Sequence, residues 1–371
     1  QLQYTLIMNK KRFVEKLMKL VTIQSESYNT VNMQKQIMNI VQSIGGCAIT
    51  HDEYGNIYVV KGVAETYPTM VCHIDTVHSI EKGKIVAADI AGNIVAFNSS
   101  TMEQVGTGGD DKVGIHITLE LLKKHEYMKA VFFLDEEVGC VGSSAANFKF
   151  FKNSRYVLEC DRKGYGDFVN KISGVQLTND SFEKDIKQIL NNYDYSLSSG
   201  GMTDVQEIAL NTKAVCANMS CGYYEPHTDQ EYININDVVL TFQLCDDIFT
   251  RIKKQYKVES KRKPVYDTTY YSNYYADFDF NRHSIYHKND ADSTYNTTES
   301  DEVYVTPTGL KCGTGCAMKD GYCDSCFLEE HDLTPQRKCQ GTIPDLHGKC
   351  AIAILNTYIY IATHIYIYIY S

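Results

Sequence analysis

The stretch "VCHIDTVH" closes an apolar run with His73 and Asp75 two residues apart. Residues i and i+2 of a strand face the same side, so the pair can act together if the extended chain continues through Asp75. A histidine that binds a metal commonly donates its other ring N–H to a carboxylate, and this spacing offers one. Taken alone, the stretch is equally a strand end running into a polar loop. Four further stretches weigh on the choice. "GTGGDDKVG" sets Asp110 and Asp111 at a Gly-rich turn ahead of a helix, and "FLDEEVGCVGS" sets Glu136 and Glu137 at a strand end. "LECDRKG" sets Asp161 at another strand end, and "SCGYYEPHTDQEY" sets His227 in a loop marked by Gly and Pro. One at a time these have ordinary explanations, since acids at a helix start cap it and oppose its dipole. Together they provide His, Asp, Glu, Asp and His donors plus one spare glutamate. That inventory matches a two-metal hydrolase, which needs a shared carboxylate, N/O ligands on each ion and a free carboxylate to take a proton. Acids gathered without cations would repel one another and raise one another's pKa, so metal is the simplest way for them to coexist. The donors suit zinc, and cobalt or manganese can occupy such sites.

The elements that must position these residues are legible from apolar periodicity. Phe13, Leu17, Leu20 and Val21 recur at helical spacing, as do Ile37, Ile40, Val41 and Ile44 before Gly45-Gly46. "CAITHDEYGNIYVVKG" predicts two strands around a turn near Gly55, and "KIVAADIAGNIVAFN" a hairpin through Ala91-Gly92-Asn93. "KVGIHITLELLKKH" predicts a helix with Ile115, Leu119 and Leu122 on one face, while "KAVFFLDEE" and "SRYVLECDRKG" are strands ending in acids. Strands alternating with helices predict an α/β fold, its sheet mixed and largely parallel, with helices on both faces. Sites in such sheets lie beyond the carboxyl ends of the strands, where these acids fall.

Of the 371 residues, 8–255 read as this α/β domain, with Met8 a natural start and residues 1–7 an upstream extension. Residues 256–306 are polar and rich in Tyr, Asn and Asp, and read as a linker. Within 307–350, Cys312, Cys316, Cys323 and Cys326 have the C-x3-C-x6-C-x2-C spacing of a small zinc knuckle that would hold one structural zinc ion. Residues 351–371 form a low-complexity Ile/Tyr tail, read as read-through of alternating adenine–thymine repeat DNA rather than a membrane anchor. Thirty-six Lys and Arg against 46 Asp and Glu give a net charge of −10, which argues against nucleic acid or an anionic membrane as partner. The first residues lack the apolar core of a signal peptide. Seven cysteines scattered through 47–245 show no pairing pattern, so the expected compartment is the reducing cytoplasm.

The ordered set "HID…GGDDKVG…DEEVGCVGS…CD…GGMTD…H", over roughly residues 9–250, resembles the dinuclear-zinc exopeptidase family of peptidase T, aminoacylase, acetylornithine deacetylase and succinyl-diaminopimelate desuccinylase. The resemblance implies a three-layer zinc-exopeptidase-like fold and two zinc ions. It implies that Asp110 bridges the ions, that His73 and Asp161 complete one site, and that Glu137 and His227 complete the other. By the same likeness Glu136 is the general base, Asp75 orients His73, and a cis peptide joins Asp110 to Asp111. "SSGGMTDV" matches the family's substrate-side loop, which implies that Gly200, Gly201, Thr203 and Asp204 line the pocket. His51, His78 and His116 match no motif and read as surface or core residues. Family members such as peptidase T carry a lid domain between the equivalents of Asp161 and the "GGMTD" loop. Here only 37 residues separate Asp161 from Ser199, room for a strand and a helix, so the lid and any dimer built through it are expected to be missing. The expected activity is cleavage of short peptides by an aminopeptidase or tripeptidase. The alternatives are an N-acyl amino acid amidohydrolase on the same centre and a retired binding module; the retained Glu136 argues against the latter.

Overall fold

The computed structural model describes residues 2–258 and two short strands further on. By contacts the chain divides into two units, Gln1–Asp279 and Phe280–Ser371. The first opens with two helices, α1 (Leu2–Val21) and α2 (Val31–Ile44), and three strands, β1 (Cys47–His51), β2 (Ile57–Lys61) and β3 (Tyr67–His73). The hairpin β4 (Ile85–Ile90) and β5 (Asn93–Asn98) follows, then β6 (Gln104–Val105), α3 (Gly109–Lys124) and β7 (Met128–Phe133). Next come α4 (Val141–Ser144), a 3-10 turn (Phe148–Asn153), β8 (Ser154–Glu159), β9 (Asp167–Ile172), β10 (Val175–Gln176), α5 (Asp180–Asn192) and β11 (Ser196–Gly200). The unit closes with α6 (Asp204–Asn211), β12 (Cys216–Met219), β13 (Tyr223–Tyr224), β14 (Tyr232–Asn234) and α7 (Ile235–Arg251). In the second unit the described residues are β15 (Met318–Lys319) paired antiparallel with β16 (Tyr322–Cys323).

The main sheet has nine strands in the order β1-β2-β7-β3-β8-β12-β9-β10, with β11 added on β9. Its centre, β7-β3-β8-β12, is parallel, and antiparallel strands extend it on both sides. The alternation of side chains along each strand divides the core in two. Ile57, Val59, Met70, Cys72, Ala130, Phe132, Tyr156 and Leu158 pack with the helices α2, α3, α5 and α7 on one face. Tyr58, Val71, Val131, Phe133 and Val157 point the other way, against Val205, Ile208 and Ala209 of α6 and Phe151 of the 3-10 turn. Every residue of β3 and β7 is buried, which explains why those strands read as continuous apolar runs. A smaller five-stranded sheet joins β13, β14, β5 and β4, with β6 on β5. The hairpin turn has Ala91 at φ 53° and Gly92 at φ 87°, the left-handed pair a two-residue connection requires.

The expected α/β architecture, mixed sheet and flanking helices are therefore observed, with three differences of detail. The extended chain of β3 stops at His73 and does not carry through Asp75. The stretch between Asp161 and Ser199 holds β9, β10, α5 and the start of β11, more than the one strand and one helix expected. Strands as short and polar as "SLSSG" carry no apolar alternation to reveal them. The chain also stays packed past residue 255, since Tyr256 is buried and its N–H donates to the Arg155 carbonyl at 2.9 Å. α1 runs without a break through Met8. Cys47 is half-buried, the other six cysteines of the domain are buried, and all seven are free thiols. No helix among the described residues is long and apolar enough to cross a membrane. Most of the linker, the Ile/Tyr tail and the side chains of Cys312, Cys316, Cys323 and Cys326 lie outside the described residues.

Candidate metal centre

Parallel register brings the acids together. His73 pairs with Phe133 across β3 and β7, and Val71 pairs with Glu159 across β3 and β8. The carboxyl ends of β3, β7 and β8 thus lie along one edge, delivering His73, the Glu136–Glu137 pair and Asp161 to one place. The Gly-rich turn before α3 adds Asp110 and Asp111, joined by a cis peptide bond as expected. The loop between β13 and β14 adds His227.

Asp110 stands between the two imidazoles. Its Oδ1 is 3.1 Å from His73 Nε2, and its Oδ2 is 3.3 Å from His227 Nε2. His73 Nε2 also lies 3.7 Å from Asp161 Oδ1, and His227 Nε2 lies 3.2 Å from Glu137 Oε2. Donor atoms of His73, Asp110 and Glu137 all fall within 4.8 Å of one another, as do those of His73, Asp111 and Asp161. All five expected ligands are therefore gathered, and Asp111 joins them. Glu136 belongs to neither group; the Cys140 thiol donates to its Oε1 at 3.4 Å.

Asp75 organises this edge from beneath. It is fully buried, and its Oδ1 accepts the Glu136 N–H at 3.0 Å. Its Oδ2 accepts the Ser27 hydroxyl at 2.7 Å and the Glu137 N–H at 3.3 Å. His73 Nδ1 lies 3.1 Å from the Asp75 backbone carbonyl and 3.5 Å from its carboxylate. A carbonyl only accepts, so Nδ1 carries a hydrogen and Nε2 is the atom left to take a proton or a metal in front of the acids.

That geometry fits a cation. A lone pair facing carboxylate oxygens is repulsive until a proton or a metal lies between them. Among the described residues, the carboxylates of Asp110, Asp161 and Glu137 form ion pairs with the two histidines and with no lysine or arginine. Asp111 Oδ2 and Glu137 Oε1 are buried acceptors with no hydrogen-bond donor, a costly state unless a cation is near. The titration tendencies record the same strain. Burial opposes charge on His73, but Asp161, Asp110 and Asp75 outweigh it and hold its pKa well above the ordinary value. Asp110 and Glu137 on His227 push that imidazole up to about 10. Burial raises Glu136, with Asp161, Asp204 and Glu137 adding to it against the pull of His73.

The substrate-side expectation needs correction for two residues. Thr203 is buried, with its hydroxyl 2.6 Å from Glu159 Oε2 and 2.9 Å from Asp161 Oδ2, so it packs between these two acids. Asp204, at the start of α6, is wholly buried beside it and pushed up to about 7 by that burial. Neither lines an open surface, whereas Gly201 is exposed and Gly200 partly so. Their place follows from the helix: Thr203 precedes its first turn, which packs against β8. His78, expected as a surface or core residue, is half-buried, and its Nε2 lies 2.8 Å from Glu231 Oε2. His116 is a core residue, its ring 4.2 Å from that of Phe13. Asn218 went unnoticed, yet its side chain accepts the Asp161 N–H at 2.9 Å and donates back to the Asp161 carbonyl at 2.6 Å. An Asn inside the apolar run "VCANM" was the available signal.

Neither a protein-family model nor a curated protein sequence matches the chain. Solved structures do. An aminopeptidase PepT from Bacillus cereus superposes with a TM-score of 0.56 at 16% identity, covering 66% of this chain and 99% of its own. A tripeptidase from Staphylococcus aureus gives 0.52 at 15% identity over 66% of this chain and 98% of its own. An aminopeptidase from the archaeon Desulfurococcus kamchatkensis gives 0.51 at 15% identity, covering 66% and 96%. The chain has the fold of these two aminopeptidases and this tripeptidase.

Proposed function

We propose that the chain is a metal-dependent exopeptidase that removes residues from the amino end of short peptides, in the manner of the dinuclear-zinc family its motifs resemble. The observation that carries this reading is the Asp110 carboxylate, which turns one oxygen to His73 and the other to His227 at 3.1 and 3.3 Å. A carboxylate so placed suits two cations side by side. In this reading the catalytic unit spans residues 8–258. His73 and Asp161 would hold one zinc with Asp111 as a further donor, Glu137 and His227 would hold the other, and Asp110 would serve both. A bound metal pair supplies Lewis acidity toward the scissile carbonyl and makes water nucleophilic at neutral pH. Glu136, outside both ligand groups, accepts the proton of the attacking water and passes it to the leaving amine. Asp75 keeps Glu136 in place through its backbone N–H, and the same residue fixes the tautomer of His73. Aminopeptidases and a tripeptidase among the structural neighbours support a peptide substrate.

The test is mass-spectrometric turnover of a mixed pool of short peptides and N-acyl amino acids by the zinc-loaded full chain, beside Glu136→Gln. Release of N-terminal residues is expected, with a loss of about 10²–10⁴-fold in the variant while zinc is retained. Hydrolysis of the acyl amino acids alone would make the enzyme a deacylase. No turnover with two zinc ions bound would make it a retired binding module.

A further inference from the structure

Glu231 is wholly buried in the loop that joins β13 to β14, four residues after His227. Its Oε2 accepts the Gly108 N–H at 2.7 Å and meets His78 Nε2 at 2.8 Å. Its Oε1 accepts the Asp110 N–H at 3.1 Å. One carboxylate thus grips the backbone of the Gly-rich turn at two points, one of them the amide of the residue whose side chain lies between the imidazoles. Hydrogen bonds to an ionised acceptor are roughly twice as strong as neutral ones.

The turn has little room to sit elsewhere. A Cβ on Gly106 would stand 2.0 Å from the His78 ring, and one on Gly109 would stand 2.7 Å from Tyr223. Gly108 has φ +61°, and a Cβ there would meet Thr76 and the Lys112 ammonium. Lys112 in turn donates to the carbonyls of Thr107 and Val21 at 3.1 and 3.2 Å. The loop that carries His227 therefore also carries the clamp on Asp110.

We propose that Glu231, held by His78, is a positioning residue that sets the Asp110 carboxylate between the two halves of the centre, so that high-affinity binding of the metal pair depends on it. The inference rests on the two-ion reading. Glu231→Gln keeps the shape but turns an amide NH2 toward backbone donors, leaving one of them unpaired. His78→Phe keeps the ring packed on Gly106 and removes only its nitrogens, while His78→Gln restores a donor.

The experiment is zinc titration against a chromophoric chelator on the full-length protein, with the metal-free melting temperature as the fold control. The wild type should bind two ions. Glu231→Gln should weaken at least one of them by about 10–100-fold, the usual range for a partner that supports a ligand. His78→Phe should show a smaller loss that His78→Gln partly reverses. A folded Glu231→Gln protein that binds two ions with wild-type affinity would overturn the proposal. If that variant does not fold, wild-type affinity in His78→Phe overturns it instead. Fewer than two ions on the wild type would remove the two-ion reading itself, and with it this inference.

Discussion

His73 and His227 both bring Nε2 within 3.3 Å of Asp110, yet they arrive by different routes. His73 closes a strand buried along its whole length, and its side chain is 0% exposed. His227 sits at φ 63° in a loop, with 52% of its side chain exposed. The partners follow suit: Asp161 is braced by Asn218 and Thr203, whereas Glu137 keeps one oxygen without a donor. The deep half is therefore a product of the sheet, fixed once β3, β7, β8 and β12 align. The open half depends on a loop, and its histidine is the one that solvent reaches.

Asp110 belongs to both halves, and its loss should have the largest effect. Asp110→Ala should lower turnover by about 10³-fold or more, since several kcal/mol of charge stabilisation go with the metals. Two bound zinc ions and turnover within tenfold of wild type would show that the halves do not share it. The two histidines separate the halves directly. In chelator-treated protein, His73→Ala should cost about 2–4 kcal/mol of stability in denaturant unfolding, because it opens a cavity and leaves buried acids unpaired. His227→Ala should cost less, about 1–2 kcal/mol, because its half-exposed ring pairs Asp110 and Glu137 but fills no core, while losing one zinc ion. Equal costs for the two variants would break the contrast between sheet and loop.

A further contrast lies in the core, on α3, where His116 packs against Phe13. Burial lowers the pKa of His116 from 6.5 to about 3, so the imidazole is neutral in the fold. The unfolded chain takes up that proton below pH 6.5, whereas the folded chain resists it until about 3. The contribution of His116 to stability is thus intact above pH 6.5 and shrinks as pH falls through that window, by at most about 1.4 kcal/mol per pH unit. His116→Leu should flatten this part of the metal-free stability profile between pH 6.5 and 4. An unchanged slope would mean that the imidazole charges inside the fold.

Much of the deep half was legible in the sequence because strands announce themselves. Apolar runs ending in "HID", "LDEE" and "ECD" mark both the element and the end that carries chemistry, and period-2 alternation sorts the two faces of the sheet. His227 came only from the order of motifs, since a Gly/Pro loop has no periodicity. Glu231 was invisible for a clearer reason. Among "HTDQEY" it looks like one more solvated acid, and its partners at Gly108 and Asp110 lie 123 and 121 residues away. Asp111 looked like a helix cap, and its Oδ1 does accept the Gly114 N–H at 2.9 Å, but its carboxylate also offers a donor atom within 4.8 Å of those of His73 and Asp161. Thr203 and Asp204 were misplaced because a loop motif does not say which side of a helix start faces the solvent.

One short turn joins the two halves: His227 and Glu231 stand at its ends, with exposed Thr228, Asp229 and Gln230 between them. Substitution at Asp229 or Gln230 changes little that the centre touches. Inserting or deleting a single residue there is a different kind of lesion. It throws the outer histidine and the inner clamp out of phase, so that no placement of the loop satisfies both. What this turn has to preserve is its length, and its composition is free to drift.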